Sequence, residues 1–251
     1  MKTEELKLIE SVSDPWMGGT RHRFVFAGHD AWVVEPPDPA PGNLWFAVPE
    51  WPSAFPHRNG VRELLSLGFY MVHVNLFGLF ADPEAVGVMH DFYNWMRERG
   101  FAAKGAMIGM SLGGLYSFRF AATFPECVAC IYADAPVCDL AFGIKTNHRV
   151  EGIKSAYRLQ AVEEMKDHPL SPVNNYLPMV KAGIPVLMIL GLDDNMVDHK
   201  TNGSLLAERY TAAGGSVKVI GRPSWGHHPH GLDDTAPIVN FILRNCHNQM
   251  L

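Results

Sequence analysis

Short apolar runs alternate with longer amphipathic stretches along most of the chain. Apolar runs of about five residues, bounded by Gly, Pro or polar residues, are typical of buried strands. The runs that predict strands in this way cover residues 44–48, 69–74, 106–109, 128–133, 185–190 and 216–220. Ahead of them, residues 23–26 and 31–35 predict a hairpin with A-G-H-D as its turn.

Helical patterns fill the intervals between the predicted strands. Asp82 and Pro83 open one helix, expected to run to about Arg99, because a carboxylate caps a first turn and proline is tolerated there. The other predicted helices cover residues 60–68, a segment from about Leu112, 204–213 and 236–245. Strands that alternate with helices predict the α/β class, with a mostly parallel central sheet and helices on both faces.

The size of the chain favours one domain. It has 251 residues, 47% of them hydrophobic, which is enough for a single sizeable core, so residues 1–251 are expected to form one domain. Residues 137–178 are less regular and carry several prolines. In a parallel α/β sheet, ligands bind beyond the carboxyl ends of the strands, and the candidate chemistry of this chain lies after those ends.

The first candidate is Ser111, in G-M-S-L-G-G between a predicted strand and a predicted helix. A nucleophilic serine on a tight turn requires this strand-turn-helix context. Gly109 and Gly113 are expected to remove side chains that would collide in the turn. The alternative is a glycine-rich connection whose serine merely caps the helix. A phosphate-binding loop is excluded, because no G-K-[ST] follows.

An acid and a histidine follow in order after later strands. The segment G-L-D-D-N-M-V offers Asp193 and Asp194, which otherwise only begin a loop, and P-S-W-G-H-H-P-H-G offers His227, His228 and His230. A serine needs a base, and that base needs an orienting acid. The order Ser, Asp, His is that of α/β-hydrolases. Zinc binding by the three histidines is not favoured, because H-H-P-H does not place ligands on one helical face.

From about Leu44 onward the chain resembles the α/β-hydrolase superfamily. The G-x-x-D-x-x-V pattern of that family matches Gly191, Asp194 and Val197, which favours Asp194 over Asp193. The G-H-x-P-H pattern implies that His227 is the base and that His230 is a second, structural histidine. Two segments also resemble a poorly characterised group of bacterial α/β-hydrolases. They are G-H-H-P-H-G-L-D-D-T-A-P-I-V-N-F-I and C-I-Y-A-D-A-P-V-C-D.

The chain departs from the superfamily after its first core strand, where P-E-W-P replaces the common H-G-[FW]-P. The resemblance implies that the backbone N–H groups of Trp51 and Leu112 bind the oxyanion. Glu50 replaces the family's glycine. A carboxylate that pointed inward would oppose an oxyanion, so Glu50 is expected either to bind a substrate hydroxyl or to face water.

These features predict a serine hydrolase that cleaves a carboxylic ester through an acyl-enzyme on Ser111, with an acylated or methylated sugar as one candidate substrate. The alternatives are a C–C bond hydrolase or lyase with the same triad, and a non-catalytic binding protein with this fold. Residues 137–178 are expected to form a short cap-like insertion. The candidate substrate-binding residues are Glu50, Phe77, Met110 and His228, with Trp51, Phe80 and Phe142 as further candidates for the pocket wall.

The composition of the chain limits the kinds of binding partner, cofactor and cellular location that are expected. The net charge of −5 without a Lys/Arg cluster argues against nucleic acid and anionic membranes. The four cysteines are too few for a disulfide scaffold, and the C-x-x-C of Cys127 and Cys130 is expected to be a pair of buried thiols rather than zinc ligands. The charged N-terminus lacks the apolar run of a signal peptide, so a cytoplasmic protein is expected. No cofactor or metal is expected, and the oligomeric state is not predicted.

Overall fold

The computed structural model describes residues 11–247, and the prediction made for the N-terminal segment lies outside the described residues. Nine strands form one sheet in the order β1-β2-β3-β5-β4-β6-β7-β8-β9. The strands are β1 (Val12–Trp16), β2 (Gly19–Phe26), β3 (His29–Glu35), β4 (Trp45–Ala47), β5 (Tyr70–Val74), β6 (Gly105–Met110), β7 (Val128–Asp134), β8 (Val186–Gly191) and β9 (Val217–Arg222).

Among the described strands, the pairs β5–β4, β4–β6, β6–β7, β7–β8 and β8–β9 are parallel. The pairs β1–β2, β2–β3 and β3–β5 are antiparallel. The predicted hairpin is β2 and β3, joined at Phe26 and His29. The strands β5, β6, β7 and β8 are buried at every position, which explains why they occur in the sequence as uninterrupted apolar runs. The mostly parallel α/β sheet predicted from the sequence is therefore confirmed.

Helices cover both faces of the sheet, as predicted. They are α1 (Val61–Ser66), α2 (Pro83–Arg97), α3 (Leu112–Thr123), α4 (Val150–Tyr157), α5 (Leu177–Lys181), α6 (Gly203–Ala212) and α7 (Ala236–His247). The buried side chains of α1 and α7 pack in one core cluster. Those of α2 through α6 pack in the other cluster, on the opposite face. Two separate cores on one sheet are the arrangement of a three-layer α/β fold.

Helix α2 illustrates how local sequence sets these elements. Oδ1 of Asp82 accepts a 2.8 Å hydrogen bond from the N–H of Ala85, and Pro83 occupies the first turn. The helix ends at Arg97, two residues before the predicted end. Its buried face then packs on the sheet beside α3.

The segment 137–178 consists of short pieces. A 3₁₀ helix covers Leu140–Thr146, α4 follows, a second 3₁₀ helix covers Val162–Met165, and α5 begins at the end of the segment. This segment leaves the sheet at the carboxyl end of β7 and leads back to the amino end of β8, so its first part lies near the carboxyl ends of the parallel strands.

All four cysteines of the chain are buried and free. No helix within residues 11–247 combines the length and the apolar character needed to cross a bilayer.

Candidate active site

Ser111 lies on a strained turn between β6 and α3. Its backbone has φ 51° and ψ −117°, a positive-φ conformation that is uncommon for a residue with a Cβ and is enriched at functional sites. A Cβ on Gly109 would lie 2.6 Å from both the Gly113 carbonyl oxygen and Ser117 Oγ, so only glycine fits there. The expectation for Gly113 is wrong, since a Cβ there would meet Glu50 at an ordinary 3.4 Å. The second crowded position is Gly114, against Pro136.

The side chains of Ser111, His227 and Asp194 form one hydrogen-bonded chain. The Ser111 hydroxyl lies 3.0 Å from Nε2 of His227, and Nδ1 of His227 lies 2.7 Å from Oδ2 of Asp194. The loops after β6, β8 and β9 bring the three residues to the same edge of the sheet. With Nδ1 protonated and donating to Asp194, Nε2 is left as an acceptor facing the serine hydroxyl.

The Asp194 carboxylate accepts hydrogen bonds from two backbone N–H groups in addition to the one from His227. Its other oxygen, Oδ1, accepts hydrogen bonds from the N–H groups of Met196 at 2.8 Å and Val197 at 2.9 Å. Burial alone raises the pKa of Asp194, but the hydrogen bonds from His227, Val197 and Met196 outweigh burial and leave the pKa below its usual value. Asp193, in contrast, is exposed. Asp194 is therefore the carboxylate that faces the histidine.

The two candidate oxyanion donors, the backbone N–H groups of Trp51 and Leu112, come from different parts of the chain. Trp51 follows β4 and has a positive φ of 55°, while Leu112 is the first residue of α3. Within residues 11–247 neither N–H donates a hydrogen bond to another loop, and the first N–H of a helix has no partner inside it. Both residues line the same cavity as Ser111. Trp51 and Leu112 therefore remain the candidate donors to an oxyanion.

Glu50 does not face water, because it is only 4% exposed. Burial raises its pKa to about 7, against the opposing effects of the Arg149 charge and a hydrogen bond with Tyr116. The Tyr116 hydroxyl donates a 2.6 Å hydrogen bond to the Leu76 carbonyl. Glu50 is buried and is not among the residues that line the cavity.

Asp134, which was not a candidate residue in the sequence, connects the turn at Ser111 with the loop that carries His227 and His230. It ends β7, and its carbonyl oxygen accepts a 2.9 Å hydrogen bond from the N–H of Ser111. Its carboxylate accepts hydrogen bonds from Nδ1 of His230 at 2.6 Å and from the N–H of Gly231 at 2.8 Å. The signal available in the sequence was an acid at the carboxyl end of the strand next to β6. His230 therefore has a buried acidic partner of its own.

A cavity of about 290 Å³ opens in front of Ser111. Of the predicted pocket residues, Trp51, Phe142 and His228 line the cavity. The remaining candidates are placed elsewhere: Phe77 is 54% exposed at the rim, 5.4 Å from the Trp51 ring centroid, Phe80 is buried, and Met110 is buried with its sulfur 3.0 Å from Asn59 Nδ2.

The cavity wall also includes residues that the sequence did not indicate. Arg149 and His148 reach it from the 137–178 segment, and Phe55 reaches it from the loop before α1. No local pattern marks Arg149 in the sequence, because its place in the site depends on how its segment folds back over the sheet.

The three histidines of the loop after β9 are close enough to share an ion, with one nitrogen from each within 4.8 Å of the other two. Two of these rings already have partners. His227 bonds to Asp194 and Ser111, and His230 bonds to Asp134. An ion held there would compete with the Ser111–His227 hydrogen bond.

No protein-family model and no curated protein sequence matches this chain. Its structure is similar to several solved structures. An S-formylglutathione hydrolase from Agrobacterium tumefaciens aligns with a TM-score of 0.61 at 15% identity, over 95% of this chain and 97% of its own. A thermophilic esterase from the Planctomycetes species Thermogutta terrifontis aligns with a TM-score of 0.59 at 16% identity, over 92% of this chain and 93% of its own.

Dipeptidyl peptidase 4 from Porphyromonas gingivalis aligns with a TM-score of 0.66 at 15% identity. The alignment covers 90% of this chain but 36% of the peptidase, so this chain spans about a third of that protein. Similarity at these identities shows the fold. The chain has the α/β-hydrolase fold, as its sequence motifs predicted.

Proposed function

We propose that this protein is a serine hydrolase that cleaves carboxylic esters through an acyl-enzyme on Ser111. The observation that carries the proposal is the continuous hydrogen-bonded chain from Ser111 through His227 to Asp194, with distances of 3.0 and 2.7 Å. A serine hydroxyl is a weak nucleophile by itself, and a histidine oriented by a carboxylate activates it. The solved structures with the same fold include proteins named as an esterase and as an S-formylglutathione hydrolase.

In the acylation step, Oγ of Ser111 attacks the ester carbonyl carbon while its proton passes to Nε2 of His227. The carbonyl oxygen becomes an oxyanion, stabilised by the N–H groups of Trp51 and Leu112. When the tetrahedral intermediate collapses, the bond to the alcohol oxygen breaks and the imidazolium gives its proton to the leaving alcohol. Water then repeats the sequence on the acyl-enzyme, with His227 as the base, and the acid product leaves.

Asp194 acts throughout as an acceptor. Its two oxygens are occupied by the His227 ring and two backbone N–H groups, so the carboxylate fixes the Nδ1–H tautomer and stabilises the imidazolium when it forms. The three catalytic side chains come from loops anchored on parallel strands, which keeps their geometry independent of the substrate.

The test is hydrolysis of 4-nitrophenyl acetate together with covalent labelling by a fluorophosphonate. Ser111→Ala is expected to lower kcat/KM by at least about 10³-fold and to abolish labelling, with a nearly unchanged thermal transition. Ser117→Ala is the matched control, because its hydroxyl donates to the Gly113 carbonyl within α3 and lies outside the cavity. Labelling that persists in Ser111→Ala would contradict the proposal.

A further inference from the structure

Arg149 presents its guanidinium to the candidate active site over a group of aromatic rings. Its central carbon lies 5.4 Å from the ring centroid of Phe77 and 6.0 Å from those of Trp51 and Phe80. Contact with ring faces favours a cation and limits the orientations of a long side chain. The guanidinium is therefore held at the wall of the cavity that contains Ser111.

Within residues 11–247, the Arg149 guanidinium forms no side-chain hydrogen bond and no ion pair with a group of opposite charge. Its five N–H donors are thus available to a ligand. Arginine at such a position matches the two oxygens of a carboxylate, since its planar fork allows two parallel hydrogen bonds.

The backbone fixes where the Arg149 side chain starts. The residue has φ 58° directly before α4, a left-handed conformation that it shares with several other non-glycine residues. The N–H of Ile153 donates to the Arg149 carbonyl at 3.0 Å and anchors it at the start of the helix. The side chain therefore extends from a fixed helix start to the cavity wall.

The remainder of the cavity wall is compatible with an anion. None of the lining residues within 11–247 is Asp or Glu, and Arg149 is accompanied there by the four histidines 148, 227, 228 and 230. Burial raises the pKa of Glu50 and the charge of Arg149 lowers it, but Glu50 is buried, lies outside the cavity lining and forms no ion pair with Arg149. Within residues 11–247, the Arg149 charge at the cavity wall is therefore not paired with a carboxylate.

We infer that Arg149 binds a carboxylate carried by the substrate, so that the preferred substrates are esters with a free carboxylate on the acyl or the alcohol part. This inference rests on the proposed ester hydrolysis and specifies the substrate class of that site. Arg149 is not part of the hydrogen-bonded chain through Ser111, so its contribution falls on substrate binding and on the placement of the carbonyl at the nucleophile. Removal of the guanidinium therefore raises KM for anionic esters and leaves neutral esters largely unaffected.

Two matched pairs of esters separate the two positions of the carboxylate. Mono-4-nitrophenyl adipate and 4-nitrophenyl hexanoate differ by a carboxylate on the acyl side. 4-Acetoxybenzoate and 4-acetoxybenzamide differ by a carboxylate on the leaving group. The ratio of kcat/KM for anionic over neutral ester is measured in the wild type, Arg149→Gln and Arg149→Lys. Lys145→Gln is the matched control, because Lys145 is an exposed cation of the same segment outside the cavity.

In at least one pair, Arg149→Gln is expected to lower the anionic-over-neutral ratio by about tenfold to one-hundredfold, mainly through KM, because a charge-assisted hydrogen-bonded pair is lost. Arg149→Lys retains part of the preference and Lys145→Gln retains all of it. Ratios in both pairs that change by less than about twofold in Arg149→Gln would overturn the inference.

A binding measurement keeps the inference testable even if no ester is hydrolysed. The Ser111→Ala variant is titrated with monomethyl adipate and with dimethyl adipate by calorimetry. The same titrations are repeated with the double variant that carries both Ser111→Ala and Arg149→Gln. The inference requires the monoester to bind more tightly than the diester, and Arg149→Gln to remove that difference. Equal binding of the two compounds by Ser111→Ala would refute carboxylate recognition, whereas absent hydrolysis with intact monoester binding would refute only the proposed ester chemistry.

Discussion

The His230 ring bonds to Asp134 at 2.6 Å between Nδ1 and Oδ1, and both side chains are buried. This pair lies beside the Ser111–His227–Asp194 chain and shares no atom with it. The His227 and His230 ring centroids are 4.9 Å apart with nearly perpendicular planes. The loop after β9 therefore carries two histidines with separate acids, one facing the serine and one fixing the loop to β7.

We predict that His230→Ala lowers stability more than it lowers the rate. Its loss leaves the buried Asp134 carboxylate without one of its donors, which is expected to cost on the order of 2–4 kcal/mol in the free energy of unfolding. The rate constant for ester hydrolysis should fall by no more than about tenfold, because Ser111 and His227 keep their own contacts. Urea unfolding and kcat/KM for 4-nitrophenyl acetate measure the two effects. His57→Ala, at an exposed position, should change neither, and a catalytic loss as large as that of Ser111→Ala would contradict a positioning role.

Asp194→Asn and Asp193→Asn are expected to differ strongly, although the residues are adjacent. Asparagine at 194 can present an N–H to the ring and favour the wrong histidine tautomer, so kcat should fall by about 10³-fold or more. Asp193 is exposed, and its substitution should alter kcat by less than about threefold. Steady-state kinetics of both variants decide the assignment, and the reverse order of the two effects would contradict it.

His227→Ala and His228→Ala should separate the base from its neighbour. Nε2 of His227 lies 3.0 Å from the Ser111 hydroxyl, so His227→Ala is expected to lower kcat/KM about as much as Ser111→Ala. His228 is exposed and stacks against Phe55, with ring centroids 5.8 Å apart. Its replacement should cost less than about tenfold, through a change in the cavity wall. The rate of fluorophosphonate labelling gives the same comparison with fluoride instead of an alcohol as the leaving group, and a larger effect at position 228 would identify His228 as the base.

Glu50→Gln is predicted to stabilise the protein at alkaline pH. The pKa of Glu50 is raised to about 7 from 4.5 by burial, so the folded state holds a proton that the unfolded state has already lost between these values. Stability linked to this group is therefore full below pH 4.5, decreases as the pH rises toward 7, and stays reduced above it. The loss is on the order of 3 kcal/mol.

The measurement is the difference in the free energy of unfolding between pH 5 and pH 8. Glu50→Gln should show a smaller decrease over that interval than the wild type, since glutamine cannot ionise. The control Glu98→Gln, at a side chain that is 77% exposed, should follow the wild type. Identical pH dependence in the wild type and Glu50→Gln would contradict burial of a titrating carboxyl at this position.

The fold was predictable because its inner strands are buried on both faces. Such strands form uninterrupted apolar runs, and glycine, proline and capping residues bound them. Strand β1 was not predicted, because Val12–Trp16 is largely exposed and contains Pro15, so it lacks the apolar pattern of a strand. The strand order also does not follow from local pattern, since it depends on which strands pair across the sheet.

Within the candidate site, residues that belong to short sequence motifs could be predicted, and residues placed by long-range packing could not. Ser111, Asp194 and His227 each lie in a motif of a few consecutive residues that follows a strand. Asp134 lies at a strand end too, but nothing in its neighbourhood indicates that His230, almost one hundred residues later, bonds to it. Glu50 was expected to bind a substrate hydroxyl or face water, and its burial depends on packing that one sequence does not contain.

The candidate catalytic residues and Arg149 lie in different parts of the chain, and this separation affects how substitutions can alter substrate preference. Ser111, Asp194 and His227 lie on turns that follow strands of the sheet, whereas Arg149 belongs to residues 137–178, which join two strands and add none to the sheet. Insertions, deletions or exchanges in that connection are expected to alter the charge and shape of the cavity wall while Ser111 keeps its surroundings. Laboratory evolution of this scaffold toward new esters should therefore accumulate its substitutions in the connection, and a transplanted connection should carry its preference with it.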